Sequence, residues 1–203
     1  MKITICKSAL LCGTVAAFAL ASQAQAQNTK ISYDYLQANA TQGEILDTDF
    51  TGYSAAASFS LSDSVFMSAA YTAGETDDKF GFGFGASTIE ANGFDVGLGY
   101  HMPISSTTDL VTRLSYVKAE VEYAGFSEDA NGYGIDLGIR SLVLSNLELE
   151  ALAVYSDGSD MDGEVGLNIN AKFFITPAFA LIVGYSDGDD TNGVSAGLRF
   201  NFK

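Results

Sequence analysis

G-V-S-A-G-L-R-F-N-F-K, residues 193–203, ends the chain. In an extended strand successive side chains point to opposite faces. Val194, Ala196, Leu198, Phe200 and Phe202 therefore share one face, and Ser195, Gly197, Arg199 and Asn201 share the other. A soluble sheet would cover the apolar face with a second layer. A chain that ends F-x-F behind an export leader suggests lipid as the cover instead, and such a strand must pair on both edges, because hydrocarbon leaves no water for a free backbone edge. The expectation is that the last strand pairs with the first strand of the mature chain and closes a transmembrane barrel.

The beginning of the chain supports an exported protein. Met1 to Ala26 carries Lys2 and Lys7, an apolar run from Ala9 to Ala21, and Ala24-Gln25-Ala26 before Gln27. This is the pattern of a secretory signal peptide, residues 1–26, leaving 27–203 as one barrel domain. Both cysteines, Cys6 and Cys12, lie in the leader, and the residues before Cys12 do not suit lipidation, so no disulfide or thiol chemistry is expected. The segment after the leader holds all 25 Asp and Glu against eight Lys and Arg, an excess of 17 negative charges that argues against nucleic acid as a partner. No apolar run there approaches the roughly 20 residues of a membrane helix, so any crossing is made by strands.

Alternation divides the mature chain into ten strands, at 30–38, 50–61, 65–73, 93–102, 109–123, 131–141, 147–156, 164–174, 178–186 and 193–203. The clearest is the fourth, with Phe94, Val96, Leu98, Tyr100 and Met102 against Gly93, Asp95, Gly97, Gly99 and His101. In the first strand Ile31, Tyr33 and Tyr35 are assigned outward and Ser32 and Asp34 inward. The fold class expected is all-β, an antiparallel up-and-down transmembrane barrel of ten strands, with eight as the alternative. An even count places both termini on one side, together with the short turns.

Two patterns test the phase. Amphipathic rings collect at the membrane–water interface, and Tyr35, Tyr53, Tyr71, Phe94, Tyr116, Tyr133, Tyr155 and Tyr185 are all read as outward rings near a long loop. Phe59, Tyr100, Phe173, Phe179, Phe200 and Phe202 suggest a second girdle at the short-turn end. Between the girdles the outward phase carries no ionisable residue, as it should when a lipid-facing Lys or Arg costs about 2–4 kcal/mol at mid-bilayer. The inward phase collects Asp34, Asp95, His101, Arg113, Asp136, Arg140, Glu148, Glu150, Lys172 and Arg199. Arg113 with Asp136, and Arg140 with Glu148, are expected as cross-strand pairs. These charges are read as filling and stiffening a narrow lumen.

At this point the chain resembles the small outer-membrane β-barrel family of Gram-negative bacteria, of which OmpX and the OmpA barrel are familiar members. The resemblance rests on the S-L-S-D-S-V-F-M-S-A-A-Y-T hairpin, the run P-I-S-S-T-T-D-L-V-T-R-L-S-Y and the final Y-S-D-G-D-D-T-N-G-V-S-A-G-L-R-F-N-F. Ten strands depart from the eight of OmpX, and Lys203 departs from the usual terminal aromatic. The resemblance implies residence in the cell outer membrane after signal cleavage near Ala26. It also implies lipid and lipopolysaccharide as surroundings, and the barrel-assembly machinery as the partner that reads Phe200 and Phe202. A monomer is expected.

Three constellations could carry chemistry. Asp157, Asp160, Asp162, Asp187, Asp189 and Asp190 sit in two similar loop stretches, where oxygen-rich turns could hold a divalent cation shared with lipopolysaccharide; neither matches an EF-hand, and solubilising turns explain them as well. Phe80, Phe82 and Phe84 are either an apolar patch above the membrane or part of an upward hairpin arm. His101, the lone histidine, shows no readable Ser or Asp partner, and no nucleophile elbow, phosphate loop or zinc spacing occurs. No cofactor is implied. The role expected is non-enzymatic, structural or surface-interactive, in envelope integrity or adhesion; a narrow channel is the second reading and an outer-membrane enzyme the third.

Overall fold

The computed structural model describes residues 30–202 apart from 46–47, 77–79, 82–85, 124–125, 159–160 and 190. The leader, Asp160, Asp190, Phe82, Phe84 and Lys203 lie outside the described residues.

The strands are β1 (Tyr35–Ile45), β2 (Thr48–Ser60), β3 (Val65–Thr76), β4 (Phe80–Gly81), β5 (Ala86–Ser87), β6 (Ile89–Pro103), β7 (Thr108–Tyr123), β8 (Phe126–Leu144), β9 (Leu147–Gly158), β10 (Met161–Thr176), β11 (Phe179–Gly188) and β12 (Thr191–Asn201). Ten of them close a barrel in the order β1-β12-β11-β10-β9-β8-β7-β6-β3-β2, and β4 and β5 form a separate small ladder. The seam runs antiparallel from Tyr35 opposite Asn201 to Ile45 opposite Thr191. Closure gives each barrel strand a neighbour on both edges, which satisfies the backbone without water.

The pleat sorts the side chains. Leu98, Leu114, Leu137 and Leu198 are exposed on the outer wall, Leu114 at 60%, while Asp136, Arg140, Lys172 and Arg199 are buried inside. So wide an apolar exterior around a charged interior is inverted relative to a soluble protein, and it fits a barrel whose outer solvent is hydrocarbon.

The short-turn end is tied by backbone bonds that pass from each turn to the neighbouring strand. His101 N donates to Ser64 O at 2.8 Å, Leu142 N to Thr107 O at 2.8 Å, Phe174 N to Asn146 O at 2.8 Å and Asn201 N to Ala178 O at 2.7 Å. Inside this ring Ile31, Tyr33, Phe66, Val111, Leu142, Phe174 and Ala180 form a buried apolar cluster. It is the core of the molecule, and it sits at one end of the lumen.

The first strand departs from expectation. Residues 31–34 precede β1, and Ile31 and Tyr33 are buried in the basal cluster rather than facing outward. In β1 itself Leu36, Ala38 and Ala40 are exposed while Tyr35, Gln37 and Asn39 are partly covered. The physical reason is phase: Tyr33 and Tyr35 share odd numbering with Gln37, Asn39 and Thr41, whose polarity belongs in the lumen, so the aromatic residues follow them inward.

The strands also reach further from the turns than the polar residues suggested. Thr41 to Ile45, expected as loop, pairs with Thr48 to Gly52. Residues 126–130, also expected as loop, pair with 119–123. The interval from Gly74 to Asn92 is partly an upward extension, with Glu75 opposite Glu90, and Phe80 pairs with Ser87 in the small ladder. Polar alternation outside the bilayer carries no hydrophobic signature, so hydrogen-bonded arms there read as loops.

Candidate functional site: the charged lumen and its base

Register delivers the inward charges to one another. Arg140 of β8 lies opposite Glu150 of β9, and Glu148 of β9 lies opposite Lys172 of β10. Arg140 Nη2 is 2.8 Å and Lys172 Nζ 2.8 Å from the same Glu148 Oε1. Lys172 Nζ also reaches Glu150 Oε2 at 2.8 Å, and Arg140 Nε lies 3.4 Å from that atom. Asn170 donates to the other Glu150 oxygen at 3.0 Å. Lys172 is 0% and Glu148 1% exposed. Groups so buried remain charged only because each is paired and hydrogen-bonded; either partner alone would be strongly unfavourable.

A second group sits further along the barrel. Arg113 of β7 faces Asp136 of β8 directly, with Nε 2.7 Å from Asp136 Oδ2. Its Nη1 lies 2.6 Å from Asp95 Oδ1 and donates to Ser68 Oγ at 3.1 Å. One guanidinium thus joins β3, β6, β7 and β8, a use of the planar fork that a lysine could not reproduce.

Arg199, expected among the inward charges of the lumen, is buried there, but its hydrogen bonds go to a neutral side chain. Its Nε and Nη2 donate to Gln37 Oε1 at 3.0 and 2.7 Å, and its guanidinium lies 3.6 Å over the Tyr35 ring. Its Nη1 is buried without a hydrogen-bond partner. This corrects Tyr35, which is a lumen residue at the short-turn end and not a girdle ring. Asp34 is buried below these pairs, where it accepts from Ser60 N at 2.9 Å and Ser60 Oγ at 2.7 Å.

The base of the lumen is organised by Tyr33. Its ring stacks on His101 at 3.9 Å and on Phe66 at 4.8 Å, and Arg140 lies 4.4 Å over its face. The phenol donates to Asp109 Oδ2 at 2.9 Å, the oxygen that also lies 3.2 Å from His101 Nδ1. Arg140 Nη2 donates to Ser32 O at 2.9 Å, which fastens the segment before β1 to the charge network. Gly99 makes room for this packing, since a Cβ there would overlap the Phe66 ring. His101 therefore has an acidic partner after all. It was obscured because Asp109 lies diagonally across the β6–β7 turn: Pro103, not His101, is opposite Asp109.

The other seven girdle residues occupy the outer face. Tyr53, Tyr71, Phe94, Tyr116, Tyr133 and Tyr185 are exposed, and Tyr155 packs at 6.3 Å against Tyr133. Most of their hydroxyls are anchored. Tyr71 donates to Asn92, Tyr116 to Asn131, Tyr133 and Tyr155 to Asp157, and Tyr185 to Asp187. Above the girdle, the Tyr155 and Tyr133 hydroxyls and the Gly158 amide hold the Asp157 carboxyl below the usual aspartate range. At the other end Phe59, Tyr100, Phe200 and Phe202 are exposed, and Phe59 meets Phe202 at 5.5 Å across the seam.

Of the loop carboxylates, Asp157 and Asp187 thus serve tyrosine hydroxyls and Asp189 is exposed. Asp160 and Asp190, with the side chain of Asp162, lie outside the described residues. Among the described residues no group of three His, Cys, Asp or Glu side chains could hold a metal ion.

A closed antiparallel barrel with a girdled apolar wall and a charged interior defines a class of membrane protein, and comparison with known families agrees. The model of the outer membrane protein beta-barrel domain matches residues 8–202, and the chain belongs to that family. Membership implies an outer-membrane location. Among solved structures the chain is similar in fold to a KdgM porin in complex with disordered oligogalacturonate, at 10% identity and a TM-score of 0.53, covering 83% of this chain and 99% of that one. It is also similar to the beta domain of the Bordetella autotransporter BrkA, at 12% identity and 0.51, covering 83% and 98%. The translocator domain of the autotransporter NalP from Neisseria meningitidis matches at 9% and 0.50, covering 96% and 98%. No curated protein matches the chain.

Proposed function

We propose that this protein is a non-enzymatic structural and surface-interaction barrel whose lumen is closed. The observation that carries the reading is the pairing of a buried charge network with an apolar base. Arg140, Glu148 and Lys172 lie across the interior, and Tyr33, Phe66, Leu142 and Phe174 fill the end beneath them. A permeant ion would have to displace salt bridges that are already desolvated and then cross a packed aromatic cluster. Both steps are costly.

The outer wall supports lipid as the immediate partner, with the anchored tyrosine ring at the long-loop end meeting the lipopolysaccharide leaflet and the phenylalanine ring meeting the inner one. Phe200 and Phe202 close the final strand on the outward face, suited to presentation to the barrel-assembly machinery during insertion. The working unit is a monomer. His101 lies under the Tyr33 ring with Asp109 as its acid partner, an arrangement that packs the imidazole rather than offering it to a substrate.

Planar-bilayer recording tests this directly. The purified barrel should give no steady current; a stable open-channel conductance would replace this reading with that of a narrow pore.

A further inference from the structure

The pleat that builds the lipid-facing wall continues above the membrane. Met67, Val96, Leu98, Leu114, Tyr116 and Tyr133 line an outward groove of about 490 Å³ across β3, β6, β7 and β8. Its upper limit is the girdle, where Tyr116 and Tyr133 stand opposite each other. Past them the same outward phase forms three rows. Phe94, Lys118 and Asn131 make the first, Asn92, Glu120 and Asp129 the second, and Glu75, Glu90, Glu122 and Ser127 the third.

This surface is acidic. All five of its carboxylates are exposed. Among the described residues Lys118 is its one basic side chain, and that charge is already engaged by Asp129, 3.1 Å away. Glu75, Glu90 and Glu122 lie side by side across three strands, an arrangement that is unfavourable for the chain alone and is relieved by a cationic partner.

Geometry selects among cationic partners. Among the described residues no group of three acidic side chains could hold a metal ion. The third row is about 10 Å wide and stands about 7 Å above the second, too broad for a single ammonium head. Basic residues at i and i+4 of a helix lie about 6 Å apart and match the row spacing. The apolar residues on the same face of that helix then continue down into the groove, and a helix supplies its own backbone hydrogen bonds where it meets hydrocarbon. We propose that this face docks an amphipathic helix of a cationic peptide, its apolar residues in the groove and its basic residues on the two rows of carboxylates. Such docking is one form of the surface interaction proposed above and is independent of the closed lumen.

The test uses the full barrel in zwitterionic lipid nanodiscs and a fluorescent peptide, acetyl-Leu-Gln-Ala-Leu-Leu-Gln-Ala-Leu-Ala-Gln-Lys-Lys-Ala-Gln-Lys-Ala-amide. As a helix it spans about 24 Å, close to the roughly 27 Å of strand from Leu114 to Glu122. The peptide should bind saturably, one per barrel, above its partition into empty nanodiscs. The triple variant E75Q/E90Q/E122Q should weaken binding about tenfold by removing exposed charge pairs. L114W should weaken it about tenfold by filling the groove. Both changes lie on the surface, and heat-modifiable gel mobility reports that each barrel is folded. A version with glutamate in place of the lysines should not bind. Binding that matches the parent in either variant, equal binding of the glutamate version, or none above empty nanodiscs would overturn the proposal. Conductance, which tests the closed lumen, is read separately and does not bear on these results.

Discussion

Tyr33 and His101 lie face to face, their ring centroids 3.9 Å apart and their planes 13° from parallel, while the Tyr33 hydroxyl and His101 Nδ1 converge on one Asp109 oxygen. A residue outside any strand is thereby built into the interior of the barrel.

Tyr33→Ala should remove the centre of that packing. Truncation of a buried aromatic costs about 3–5 kcal/mol, read as a lower urea midpoint for the barrel in lipid vesicles. The same variant should show intermittent current in planar bilayers where the parent is silent. Tyr33→Phe keeps the stack and loses the bond to Asp109, at a cost of about 1 kcal/mol. A silent Tyr33→Ala barrel of unchanged stability would count against the closed base.

Glu148→Gln leaves Arg140 and Lys172 without their shared carboxylate oxygen. Breaking a buried pair while its partner charges remain costs about 3–5 kcal/mol. Replacing Glu148 and Lys172 together by Leu should cost less than Glu148→Gln alone, a comparison to be read from equilibrium unfolding of the three barrels.

Leu137→Arg and Gly134→Ser separate the two faces of β8. Leu137 is exposed on the outer wall and its arginine should cost about 2–4 kcal/mol at mid-bilayer. Gly134 faces the lumen, where an added Cβ would lie 2.7 Å from the Ser115 hydroxyl; that oxygen can turn aside by giving up its bond to Gly134 O, so serine there should fold with a far smaller penalty. Folded fractions in vesicles, measured by heat-modifiable mobility, report both.

Asp157 offers a pH readout above the membrane. Its carboxyl is held low by the Tyr155 and Tyr133 hydroxyls and the Gly158 amide. A depressed folded-state value means that this contribution is present above the ordinary aspartate range and is lost as pH falls through the depressed value. Replacing both tyrosines by Phe should move the Asp157 titration upward toward that of an unhindered aspartate in a carboxylate-detected NMR titration. An unmoved midpoint would show that the hydroxyls do not bond the charged form.

Deletion of Lys203 should leave assembly intact, whereas Phe202→Ala should slow it. The measurement is the yield of heat-modifiable barrel in outer-membrane fractions.

The membrane-facing half of this molecule was legible from its sequence because lipid imposes a strict rule on it. Leu98, Leu114, Leu137 and Leu198 alternate with small or charged residues, and every one lies on the outer wall. The ion pairs were equally legible, Arg113–Asp136 because each residue lies three positions below a girdle tyrosine, Tyr116 and Tyr133, and Arg140–Glu148 because both flank one short turn. The base was not. Ile31 and Tyr33 are as apolar inside the cluster as they would be against lipid, so hydrophobicity alone cannot tell the two solvents apart. The discriminating signal was Gln37 and Asn39, whose shared phase with Tyr35 sends that face into the lumen. Arg199 lies in the lumen as its phase requires, but its hydrogen-bond partners were not legible: an amide and an aromatic face can hold a guanidinium, and neither carries a charge to look for.

The seam has a temporal meaning. Tyr35 has Ser58 of β2 on one edge and Asn201 of β12 on the other, so the first strand has no permanent neighbour on that second edge until the last strand has been made. Closure of the ring is the most non-local step the chain can take, and non-local pairings form slowly. Until then the first strand is an open template for any other chain, and the interval between synthesis and closure is when the protein most needs a chaperone.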